Sequence, residues 1–95
     1  MTKQELINFV NKYRDKIGAF HIVLDERFEG QFTLGYYYDE KSKQYKVYEV
    51  NEHQDIWIRD EFKNESGAIN RLFRLIKTTF WINETPILLD DTEID

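Results

Sequence analysis

Ninety-five residues, 41% hydrophobic and 33% charged, suffice for one domain with a core and leave no length for a second. The absence of cysteine excludes disulfides, thiolate zinc sites and thiol catalysis, and every apolar run is far shorter than a membrane span. The formal charge of −5 is unevenly placed: Glu84, Asp90, Asp91, Glu93 and Asp95 lie in a stretch without a base, and the other 13 acids balance the 13 Lys and Arg.

Thr2-Lys-Gln-Glu5 has the form of a capping box, in which a hydroxyl and a carboxylate each accept the other residue's backbone N–H. Leu6, Phe9 or Val10, Tyr13 and Ile17 follow at helical spacing, and Gly18 is suited to stop the turn, so a helix is expected over 3–17. From Ala19 the period becomes two. Phe20, Ile22 and Leu24 would point one way, and His21, Val23, Asp25 and Arg27 the other. Glu29-Gly30 marks a turn, after which Phe32, Leu34, Tyr36 and Tyr38 alternate with Thr33, Gly35 and Tyr37. A polar turn, Asp39–Gln44, leads to a third strand, Gln44–Val50, in which Tyr45/Val47 and Tyr48/Val50 compete for the inside. After a loop at Asn51–Gln54, Ile56, Ile58 and Phe62 alternate with Trp57, Arg59 and Glu61 in a fourth strand. Connections this short favour an antiparallel meander. Asn64 can cap a second helix whose stripe is Ala68, Ile69, Leu72, Phe73, Ile76 and Phe80, and Pro86 ends any continuation.

The expected fold is therefore α+β: helix, four-stranded antiparallel meander, helix, with both helices on one face of the sheet and the other face open to solvent. Residues 1–83 form the single domain, and 84–95 form an acidic C-terminal tail that either docks Ile87–Leu89 on the body or stays a loose peptide. Segments 1–17 and 66–83 carry net charges of +2 and +3, while 48–65 carries −4, so the sheet side is acidic and the helix side basic.

A catalytic centre is not evident. His21 and His53 are the two side chains that titrate near neutrality, and neither accompanies a nucleophile motif. The four glycines, at 18, 30, 35 and 67, form no phosphate loop. Asp90–Asp95 lacks the central Gly and distal Glu of a calcium loop. Basic residues matched by acids disfavour nucleic acid as a partner. No cofactor and no metal is expected. Aromatic residues, 16% of the chain, are the unusual feature. By strand phase Tyr37, Trp57, Arg59 and Glu61 share the outer face with His21, Asp25 and Arg27, and Trp, Tyr and Arg are the types that carry binding energy at protein interfaces.

The run from Tyr37 to Glu52, YYDEKSKQYKVYEVNE, and that from Asp60 to Ala68, DEFKNESGA, combine an aromatic strand, a Lys-rich turn, Tyr-Lys-Val-Tyr, an acidic loop, a strand ending in Glu-Phe, and Asn-Glu opening a helix. Over about residues 30–80 this pattern resembles small immunity proteins encoded beside polymorphic toxins of Gram-positive bacteria, including toxins of the LXG type. The resemblance implies a cytoplasmic, non-enzymatic protein, neither membrane-bound nor nucleic-acid-binding, that neutralises a cognate toxin by covering its active site. The expected contacts are Tyr37, Trp57, Arg59 and Glu61, with Glu49, Glu52 and Asp55 as charge partners, on a monomer or weak homodimer. The rival readings are a regulatory or adaptor module that pairs through the same face, and a small enzyme using His21 or His53.

Overall fold

A computed structural model describes residues 1–83 of the chain. The tail expected at 84–95 lies outside the described residues. The elements in chain order are α1 (Lys3–Lys12), α2 (Arg14–Ile17), β1 (His21–Val23), β2 (Thr33–Asp39), β3 (Gln44–Val50), β4 (Ile56–Phe62) and α3 (Glu65–Phe80). The fold is α+β, with one four-stranded sheet in the order β1-β2-β3-β4.

The capping box forms as its sequence dictates: the Thr2 N–H donates to Glu5 Oε1 at 2.8 Å and the Glu5 N–H donates to Thr2 Oγ1 at 3.1 Å. The expected single helix over 3–17 is interrupted at Tyr13, whose φ and ψ of −108° and 23° leave the helical basin. One further turn, α2, follows and ends at Gly18 with φ of 66°, a conformation glycine adopts without Cβ strain. At α3 the Asn64 side chain accepts the Gly67 N–H at 2.9 Å. The apolar stripe of α3 then buries Ala68, Ile69, Leu72, Phe73 and Ile76, with Leu75 added.

One hydrophobic cluster joins α1 (Leu6, Phe9, Val10) and the stripe of α3 to Leu34, Tyr36 and Val47 of the sheet. The strand register explains this choice, because residues paired across strands share a face. Tyr36 pairs with Val47, and Tyr38 with Tyr45, so Tyr45 and Val47 win the inward positions of β3. Tyr48 and Val50 are nevertheless buried too, on the opposite face.

Their burial follows from a departure from the expected topology. The sheet is mixed: β1 pairs with β2 in parallel, His21 with Thr33 through Val23 with Gly35, while β2–β3 and β3–β4 are antiparallel. The Glu29-Gly30 signal therefore does not close a hairpin. With β1 only three residues long, residues 24–32 return the chain to the start of β2 as a strap. The strap crosses the face that carries Tyr48: the Tyr48 hydroxyl accepts the Phe28 N–H at 2.9 Å and donates to the Glu26 carbonyl at 2.9 Å. Burial raises the Tyr48 pKa. The second face, expected to be bare, is covered along β2 and β3.

A second departure lies in β4. A β-bulge falls where Val47 pairs with Asp60 but Tyr48 pairs with Ile58, leaving Arg59 as the extra residue. One inserted residue reverses the phase of everything before it. Phe62, past the bulge, packs against the core as expected. Ile58 instead shares the row of Tyr48, and Trp57 shares the row of Glu49 and Leu34.

Candidate interaction surface

The bulge divides the expected outer-face group in two. Tyr37 and Glu61 lie in one row with Lys46, on the strap-covered face. Tyr37 is half-buried; the Arg27 guanidinium stands 5.6 Å from its ring centroid, and Tyr48 lies edge-on at 5.5 Å. Glu61 pairs with Lys46 at 3.6 Å. His21 packs its ring on Phe28 at 5.2 Å, and Asp25 turns away to Lys3 at 3.6 Å. Each of these side chains thus has a neighbour within the fold, while His21, Asp25, Arg27 and Glu61 stay exposed and Tyr37 is half-buried.

Trp57, Arg59 and Glu49 are brought together on the other side. Trp57 is 59% exposed. Arg59 Nη1 donates to Glu49 Oε1 at 2.9 Å, a charge-assisted bond that fixes both long side chains beside the indole. Trp57, Arg59, Glu49 and Asn51 line one shallow concavity, and Glu49 and Asn51 also line a second with Phe20, Phe32, Glu52 and His53. Phe32 is exposed on a residue with φ of 56°, and its ring meets Phe20 at 5.5 Å. Phe20 in turn meets Phe80 at 5.0 Å, so the surface rests on the core.

Asn51, which strand phase alone passes over, organises the loop. Its Oδ1 accepts the backbone N–H groups of His53 (2.8 Å) and Asp55 (3.0 Å), and its own N–H donates to the Asp55 carbonyl. The Asn-x-x-x-Asp spacing before a strand carries that Asx-type signal in the sequence. Gln31 ties the strap to the same loop, donating to the Glu52 carbonyl at 2.6 Å. Glu52 and Asp55 are both exposed, and Glu52 stands 3.4 Å from His53 Nε2.

Chemically the surface offers an exposed indole, a phenyl group, an internally matched ion pair and two exposed carboxylates on a braced loop. Among the described residues neither histidine lies in hydrogen-bond contact with a nucleophile: His21 faces Phe28 and His53 faces Glu52. Among the described residues no group of three His, Cys, Asp or Glu side chains is placed to hold a metal ion, and no helix is long and apolar enough to cross a membrane. No family model, curated protein or solved structure matches this chain.

Proposed function

We propose that this chain is a non-catalytic, cytoplasmic binding protein of the immunity type, which neutralises a cognate bacterial toxin domain by seating the Trp57 surface over the toxin's active site. The observation that carries the reading is Trp57 itself: a large, mostly exposed indole held between the Arg59–Glu49 pair and the Asn51 loop. Exposing an indole is unfavourable in water, and a rigid aromatic flanked by an ordered charge pair is the usual composition of an interface anchor. The reading takes both long helices to lie on one face of the sheet, which makes the margin of that face, along β4, the docking side. Glu52 and Asp55 would then meet cationic groups of the partner and raise the association rate. Tyr37 and Glu61 have a supporting part at most, since their own neighbours engage them.

The test is protection of a bacterial host that expresses the toxin encoded by the adjacent reading frame. Wild-type chain should restore growth, and Trp57→Ala should weaken binding of the purified toxin domain by about 2 kcal/mol or more, roughly thirtyfold. Because Trp57 is exposed, its thermal unfolding should change little. Full protection and unchanged affinity in Trp57→Ala/Phe32→Ala would remove this surface from the interface. The adaptor reading is favoured by a different observation, the seven-residue edge strand β4, nearly all of it exposed; a dimer by light scattering that is lost on substitution in β4 would support it instead.

A further inference from the structure

The cavity that Phe20 and Phe32 share with the β3–β4 loop has a chemistry distinct from the Trp57 concavity beside it. Its volume is about 280 Å³, small beside the roughly 300–1,000 Å³ of ordinary ligand cavities, so it suits one side chain of a partner. One wall is aromatic: the Phe20 and Phe32 rings meet at 5.5 Å, tilted by 57°. Phe32 stays 43% exposed on a backbone with φ of 56°, a region that a bulky side chain enters at a cost. The other wall is acidic, with Glu49 half-buried and Glu52 at the exposed rim. Among the described residues that line the cavity none is Lys or Arg. Glu49 is bonded to Arg59 through Oε1, and an ionised carboxylate can accept roughly four hydrogen bonds, so it keeps accepting capacity. The walls are fixed to one another. The His21 N–H donates to the Phe32 carbonyl at 2.9 Å, Gln31 donates to the Glu52 carbonyl at 2.6 Å, and Asn51 braces the loop between Glu52 and Asp55. A cavity held in this way loses little freedom when it is filled.

The geometry points to a guanidinium as the occupant, an arginine side chain of the partner protein. Its plane can lie on the exposed Phe32 ring while its N–H fork donates to Glu52 at the rim and Glu49 within. An ammonium group has no plane to stack and is more strongly hydrated. An apolar side chain would desolvate two carboxylates without giving them a partner. The charge of the surroundings agrees, since segment 48–65 carries a net −4. The assignment rests on the reading of this side of the molecule as the docking side for a toxin domain. It adds to Trp57 a second anchor point of different chemistry: the indole needs an apolar pocket on the partner, and this cavity needs an arginine.

Titration of the isotope-labelled full chain with N-acetyl-arginine methylamide, at constant ionic strength, tests the cavity without any toxin. The amide signals of Phe32, Glu49, Asn51, Glu52 and His53 should shift and saturate in the millimolar range, while the Glu40–Lys43 turn stays unchanged. The citrulline analogue, of the same length but uncharged, should bind at least tenfold more weakly, and the lysine analogue severalfold more weakly. Glu52→Gln, at an exposed position that leaves the fold intact, and Phe32→Leu should each weaken arginine binding severalfold. Absent or unlocalised shifts, or equal binding of the citrulline or lysine analogue, would overturn the guanidinium site. With a purified toxin domain, Glu52→Gln/Phe32→Leu should lower affinity at least tenfold. Unchanged affinity there, in a complex that Trp57→Ala does weaken, would remove the partner's arginine from the cavity and leave the toxin reading standing. A chain that gives no protection but still selects arginine over citrulline would sink the toxin reading and keep the site.

Discussion

Tyr36 and Tyr48 are both fully buried, and each places its hydroxyl where a phenylalanine could not serve. Tyr36 donates to Glu65 Oε2 at 2.7 Å, and Lys3 Nζ lies 3.2 Å from the same oxygen. Burial, reinforced by this bond, raises the Tyr36 pKa well above its ordinary value. The Tyr36 bond, and after it Lys3, hold the Glu65 carboxyl below its usual range, while the bond to Glu65 raises Lys3. A carboxyl whose folded pKa is depressed contributes stability that is complete above its unfolded value of about 4.3 and is lost as pH falls through the folded one. Tyr36→Phe should therefore cost about 1–2 kcal/mol at pH 7, let the Glu65 pKa rise, and flatten the stability loss between about pH 5 and pH 3; urea titrations across that window and carboxyl carbon shifts measure all three. A steeper acid loss in the variant would contradict the assignment. The exposed Lys3 bridge has only a small part in this, because solvent screens it. Tyr48→Phe leaves the Phe28 N–H and the Glu26 carbonyl without their partner. A loss of about 2 kcal/mol is expected, with amide exchange accelerated in residues 24–32 before the helices; equal acceleration everywhere would mean the strap is not a separate unit.

At the scale of elements, the sharp turns fall where backbone freedom or its absence decides the path. A Cβ at Gly35 would stand 2.5 Å from the Val23 carbonyl oxygen, a rigid backbone atom, and 3.0 Å from the Tyr48 hydroxyl. The chain leaves β1 over this glycine, so the parallel pairing and the strap depend on it. Gly35→Ala should lower stability by about 2–3 kcal/mol, read as a shifted urea midpoint, whereas an alanine accepted without loss would argue against so close a crossing. The end of α3 shows the opposite case. Trp81 occupies the left-handed region with φ of 56° and is 82% exposed, so it bears the conformational cost with little packing in return. Trp81→Gly should raise stability by about 0.5–1 kcal/mol, the left-handed penalty less the greater unfolded-state entropy of glycine; a lowered melting temperature would show that the indole is engaged. Helix ends and strand extents such as the Thr2–Glu5 box, the Asn64 cap and Gln44–Val50 were readable from local pattern, because each is set by groups within four residues of one another. The direction of β1 was not readable. A turn signal at Glu29-Gly30 is compatible with either a hairpin or a return strap, and which forms depends on Tyr48, distant in sequence, finding main-chain partners at Glu26 and Phe28.

The whole molecule is layered unevenly. One core cluster joins the helices to β2 and β3, and the strap binds Tyr48 on the sheet's other face, while β4 is a largely exposed edge strand. If the proposed function holds, that asymmetry makes β4 and its flanking loop the docking side, and it sets the expected contrast for Trp57→Ala: a large effect on affinity for the proposed partner and a small one on unfolding. Composition and periodicity by themselves determined an α+β domain, the span of α3 and of strands β2 to β4, the residues of the helical stripes, and the aromatic and acidic character of the β3–β4 region, since all of these follow from neighbours in sequence. Only the tertiary structure decided that Trp57 joins Glu49 and Arg59 and parts from Tyr37 and Glu61. A single extra residue in β4 inverts the strand's phase, and a bulge is selected by the fit of Asp60 beside Arg71 and of Ile58 beside Tyr48, contacts that no local spacing encodes.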